Sequence, residues 1–86
     1  MYALAYIHSW IVAIDICTRI GIRIRNLRLG RGMTQVILAD HAQITRGHLS
    51  ELENGKKEVG LRILERIVVS LGVSLNAFFD DRMFRV

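Results

Sequence analysis

"TQVILADHAQITRGHLSELENG" (Thr34–Gly55) is the stretch whose reading decides the fold. Leu38 and Ala42, with Ala39 beside them, fall on one face of a first helix. Leu49 and Leu52, at i and i+3, form the buried pair of a second. Each helix is preceded by a threonine, Thr34 before "QVILADHA" and Thr45 before "RGHLSELE". A threonine there caps a helix, its hydroxyl accepting a free backbone N–H. Gln43 and Ile44 mark the break between them, and Asn54-Gly55 stops the second helix by supplying a residue at ease with positive φ. Two short helices joined by three to four residues make a helix-turn-helix. Ala39 is then required where the two helices cross, because a larger side chain would push them apart. Ile44, Leu49 and Leu52 fill the wedge between them.

The segments on either side read as helices too. "IDICTRIGIRIR" (Ile14–Arg25) alternates at strand period, yet Ile20, Ile24 and Leu27 also follow i, i+4, i+7. A helix from about Thr18 to Leu29 is expected here, because the motif that follows demands a helical neighbour, with Gly30 and Gly32 ending it. "LRILERIVVSLG" (Leu61–Gly72) is the cleanest amphipathic run. It places Leu61, Leu64, Ile67, Val68 and Leu71 inward and Arg62, Glu65 and Arg66 outward. Ser74 caps a last helix, "LNAFFDDRMF", with Leu75, Phe78 and Phe79 expected inside. The fold class is therefore all-α, with five helices.

The chain has 86 residues, enough for one domain and little more. Apolar residues make up 51% of it, which excludes a disordered composition. Its formal net charge is +4, which favours an anionic partner without choosing among nucleic acid, membrane and acidic protein. The single cysteine, Cys17, forms no internal disulfide, and a reducing cytoplasm fits. Cys17 reads as a small buried hydrophobe rather than a nucleophile, since no base stands near it in sequence. His8, His41 and His48 are scattered, so neither a metal site nor another cofactor is expected. Without a nucleophile–base pair or paired acids, an enzyme is not expected either.

Residues 1–17, "MYALAYIHSWIVAIDIC", carry one formal charge, Asp15, and are treated as a hydrophobic extension to a domain at 18–86. A secretory leader would open on basic residues. A membrane span needs about 20 apolar residues, and this run is interrupted by His8, Ser9 and Asp15. An extra helix or arm, packed on its own domain or on a second copy, is the expectation. Trp10, Tyr2 and Tyr6 would serve there as packing residues.

Taken together, "GIRIRNLRLGRGMTQ" (Gly21–Gln35), Leu38-Ala39, "ITRGHLSELENGKK" (Ile44–Lys57) and "LRILERIVVSLGVSLNAFF" (Leu61–Phe79) resemble the lambda-repressor/Cro family of helix-turn-helix regulators, the xenobiotic-response-element type. The size and phenylalanine-rich end are similar to the restriction-modification controller subgroup. The resemblance implies a sequence-specific regulator of double-stranded DNA, with the recognition helix at about 46–53 in the major groove. It implies base reading by Arg46, Gly47 and Glu51, and phosphate contacts from Gln35, Asn54 and Lys56. Thr34, His48 and Lys57 join that phosphate set as neighbours on the same surface, His48 with an ordinary surface role equally open. It also implies an internal ion pair between Arg28 and Glu53.

The chain departs from the family pattern in three places. Gln43 stands where the turn usually has glycine, a strained position costing about 1 kcal/mol. Val59-Gly60 replaces Pro-Ser, and Val36 and Ile37 are apolar where polar residues are usual. They either meet the N-terminal segment or are exposed.

A basic chain that binds DNA should keep carboxylates away from its working surface, yet Glu51 and Glu53 stand two residues apart in it. Pairing with Arg28 would neutralise Glu53. For Glu51 three roles stay open: accepting a hydrogen bond from cytosine N4, repelling wrong sequences, or pairing with a nearby cation. A homodimer is expected, through the N-terminal segment, the C-terminal residues Phe78, Phe79, Met83 and Phe84, or both. The reading from a different class is a protein–protein module on the same fold, antitoxin-like or a membrane-tethered adaptor.

Overall fold

The computed structural model describes residues 14–85, all helical or connecting, with no strand among them. Five α-helices follow in order: α1 Ile16–Gly30, α2 Gln35–Ala42, α3 Arg46–Glu53, α4 Leu61–Ser70 and α5 Leu75–Phe79, with a 3₁₀ turn at Arg82–Phe84. The two readings of the first segment resolve to helix. It begins at Ile16, two residues before the expected start, because the Asp15 carboxylate accepts the Cys17 N–H at 2.8 Å and caps it. Its buried positions, Gly21, Ile24 and Arg28, follow helical spacing, while Ile20 and Leu27 pack partly buried on the core. Gly32, at φ 66°, turns the chain out of the helix.

Thr34 and Thr45 cap α2 and α3, their Oγ1 atoms accepting from Ile37 N at 3.1 Å and His48 N at 3.0 Å. Gln43 takes the left-handed conformation, φ 59° and ψ 42°, in the turn between them. Leu38, Ala39, Ala42, Leu49 and Leu52 are buried here, joined by Ile24 from α1, Leu64, Ile67 and Val68 from α4, then Leu71 and Phe78. This is one contiguous core.

The closest backbone approach noted is one that hydropathy did not flag. A Cβ on Gly21 would collide with the Leu52 carbonyl oxygen and come within 2.7 Å of that of Glu53. Glycine at 21 therefore lets α1 lie directly against the end of α3. Gly55, at φ 69°, lies nearly as close to Thr18, where an added Cβ would stand 2.8 Å from Cα.

Several expected core positions are corrected. Leu61 has the right spacing but is 83% exposed, because it lies a turn before Leu64, where burial in α4 begins. In the last segment the helix stops at Phe79 rather than running on to Phe84. Asp81 adopts an extended backbone, accepts the Met83 N–H at 3.0 Å and starts a separate 3₁₀ turn. An aspartate is disfavoured at a helix C-terminus and favoured as the cap of the next element. With the helix so short, Phe78 alone is fully inside, while Phe79 is 39% and Leu75 44% exposed. Val36 and Ile37 are exposed on α2. No described helix is long and apolar enough to cross a membrane. The proposed extension falls mostly on residues 1–13, outside the described ones.

Candidate nucleic-acid interface

The packing of α3 determines which of its residues face outward. Leu49, Leu52 and Glu53 turn inward, leaving Arg46, Gly47 and Asn54 exposed and His48, Ser50 and Glu51 partly so. Arg46 opens the helix and lines one open depression with Thr34 and Gln35, which begin α2. At the far end of α3, Asn54 follows the last helical residue, and the Lys56 N–H donates to the Glu51 carbonyl at 3.0 Å, holding the basic turn against the helix. Two polar clusters thus flank α3, separated by its length of about 12 Å.

Beneath this surface, Arg28 and Glu53 meet side by side. Arg28 Nε donates to Glu53 Oε2 at 2.7 Å and Nη2 to Oε1 at 2.9 Å. The remaining donor, Nη1, reaches the Met33 carbonyl at 2.9 Å. Both side chains are buried, so the fork-to-carboxylate geometry compensates two desolvated charges and ties α1 to the end of α3. Gln35 belongs to the same network, since its amide donates to Glu53 Oε1 at 3.2 Å. One face of the Gln35 side chain is therefore committed inside the protein, which orients the rest of it.

The other glutamate is handled differently. Glu51 Oε2 lies 3.2 Å from Lys57 Nζ, both half exposed. That pair sits at the rim and is worth little to stability. It does neutralise a carboxylate on the face where a polyanion would dock. Gly47 has open space around the position of an absent Cβ, so no contact within the domain requires a glycine there.

The signals missed in the sequence were Ser50, one turn beyond Arg46 on the outward face, and the arginines of α1 that turn towards the C-terminus. Arg19 and Arg23 stand at i and i+4, a spacing that marks a shared face, yet it names no acceptor. Cys17 lines a small cavity with Ile16, Ile20, Leu52 and Val59, bordered by the charged Lys57 and Glu58. Burial pushes its thiol pKa up, and the hydrogen bond to Asp15 and the charges of Asp15 and Glu58 add to that, all opposing the thiolate.

Comparison with known proteins agrees with this fold. The helix-turn-helix family HTH_3 matches residues 24–78. The control protein C.MunI of a Mycoplasma species is 35% identical over 68 residues, covering 78% of this chain and 92% of that one. Among solved structures, the clp gene regulator ClgR from C. glutamicum superposes with a TM-score of 0.73 at 32% identity, over 76% of this chain and 83% of its own. The restriction-modification controller protein C.Esp1396I, crystallised as a tetramer with its natural 35 base-pair operator, gives 0.74 at 30% identity, over 78% and 88%. With the matched span running from α1 through α5 and Arg46 opening the exposed face of α3, this chain belongs to the lambda-repressor/Cro-type helix-turn-helix family and is a DNA-binding transcriptional regulator.

Proposed function

We propose that the protein reads a two-half-site operator as a homodimer, with α3 in the major groove. Arg46, Gly47 and Glu51 face base edges, and Thr34, Gln35, His48, Asn54, Lys56 and Lys57 face the phosphates on either side. The observation that carries this reading is the placement of Arg46, exposed at the start of α3 in one depression with Thr34 and Gln35. A base reader beside backbone-contacting groups is what groove docking needs. The Glu51–Lys57 pair supports it by keeping the carboxylate compensated near phosphate, and it leaves Glu51 able to accept from cytosine N4 when Lys57 turns to the backbone.

The dimer surface we assign to the C-terminal end, where Val69 is 69% exposed alongside the partly exposed Leu75 and Phe79. The operator-bound tetramer of C.Esp1396I supports assembly as part of the mechanism in this family. The other candidate, the N-terminal segment, lies outside the described residues. Two symmetric copies would place their α3 helices about 34 Å apart, one turn of DNA. With double-stranded DNA as partner, the protein works in the cytoplasm.

Selection of bound sites from random duplexes tests the proposal. The winners should be pseudo-palindromes with half-sites one turn apart, and their affinity should fall steeply with salt. Equal affinity for every duplex would overturn it and favour a protein–protein module.

A further inference from the structure

α5 has five residues, too few to hold a helix on its own, and one buried anchor, Phe78. Its final carbonyls need donors. Arg23, in the middle of α1, supplies donors to two of them, and the Ala77 carbonyl also accepts from the Asp80 N–H at 3.2 Å. Arg23 Nε donates to the Phe78 carbonyl at 2.8 Å and Nη2 to that of Ala77 at 3.0 Å. The third nitrogen, Nη1, lies 3.3 Å from Asp81 Oδ2, the cap of the 3₁₀ turn. One planar guanidinium thus closes the end of α5 and holds the start of the next element, a cation placed where the helix dipole favours it. A turn earlier on α1, Arg19 Nη1 donates to the Met83 carbonyl at 3.2 Å.

These tethers act on backbone atoms of residues that set the Phe79 ring. Phe79 stands edge-on to Phe78, with centroids 5.0 Å apart, and to Phe84, at 5.1 Å. Arg23 holds the Phe78 carbonyl, and Arg19 holds Met83, next to Phe84. Arg23 itself is largely covered, its side chain 17% exposed. We infer that Arg23 is the positioning residue of the dimer surface: it fastens α5 to α1 so that Leu75 and Phe79 are presented to a second copy in one fixed orientation. This rests on the C-terminal dimer proposed above.

The test measures the dimer dissociation constant of the full chain by sedimentation, well below the melting temperature. Arg23→Gln should raise that constant about tenfold or more, the equivalent of one lost charge-assisted hydrogen bond, with the far-ultraviolet spectrum preserved. Arg23→Lys, able to reach one carbonyl but not all three acceptors, should fall between. A destabilised control on the same helix, Ile24→Ala, should keep the wild-type constant, which separates positioning from a general loss of stability. Phe79→Asp tests the underlying interface and should give a monomer. If Phe79→Asp is monomeric while Arg23→Gln, or Arg23→Lys should the first not fold, dimerises like wild type, the positioning role is wrong and the interface stands. If Phe79→Asp remains a dimer, the C-terminal interface fails and this inference with it.

Discussion

Glu53 joins α1, α2 and α3 from beneath their outer surface. Its two oxygens accept from Arg28 twice, buried beneath α3, and from Gln35 once at a partly buried edge. Glu53→Gln removes one charge of a desolvated pair and leaves the guanidinium uncompensated. The expected cost is on the order of 3 kcal/mol, read as a melting temperature lower by roughly 10 °C or more for a domain of this size. An unchanged melting temperature would mean the pair contributes nothing net. The surface cations obey another rule. Arg46→Ala should relax specificity at one base position at a cost of about 1–3 kcal/mol, while Lys56→Ala should weaken all sequences alike and reduce the salt slope by about one. Titrations of operator and random duplexes at several salt concentrations separate the two effects. Indistinguishable behaviour of the two variants would remove the distinction between reader and clamp.

Among the elements, α3 contains an unusual choice at Gly47. The residue lies in the first turn, exposed, with nothing near an added methyl group. Inside the domain, Gly47→Ala therefore strains nothing and gains the helix propensity that glycine lacks, about 0.5 kcal/mol. On DNA the same methyl would stand on the proposed reading face next to Arg46. The variant should melt slightly higher yet bind the selected operator more weakly, as thermal unfolding and a binding isotherm measured on one preparation would show. Higher stability with unchanged operator affinity would show that base edges do not approach Gly47. The neighbouring element makes the complementary point. α1 presents Gly21 and Arg28 to α3 and Arg23 to α5, so one helix is the common frame of α3 and the C-terminal end.

At the scale of the whole molecule the question is which surface a second copy covers. The exposed Val69, Leu75 and Phe79 lie among the described residues, whereas residues 1–13 do not. Deleting residues 1–13 keeps Asp15, and with it the cap of α1, which a deletion through Cys17 would destroy. The shortened protein should remain a dimer by light scattering and bind operator at full affinity. A monomer restricted to weak half-site binding would move the interface to the N-terminal segment.

How much of this was legible in the sequence depends on how far apart the interacting groups are along the chain. Thr34, Thr45 and Ser74 each cap the amide three residues on, so both partners of each contact lie within a few letters. Those caps, with the spacing of Leu49, Leu52, Leu64, Ile67 and Val68, determined the helices, their order and the turn between α2 and α3. The Arg28–Glu53 pair spans 25 positions and was reached only through family resemblance. The contacts of Arg23 span 54 to 58 positions, and nothing local names their acceptors. Periodicity also overcounted the core, assigning Leu61 and Leu75 to buried faces although they are 83% and 44% exposed. Capping and helical spacing act within a turn or two and are written into the sequence directly. Exposure, ion-pair partners and the α1–α3 contact at Gly21 depend on which elements meet, and only the packed tertiary structure decides that.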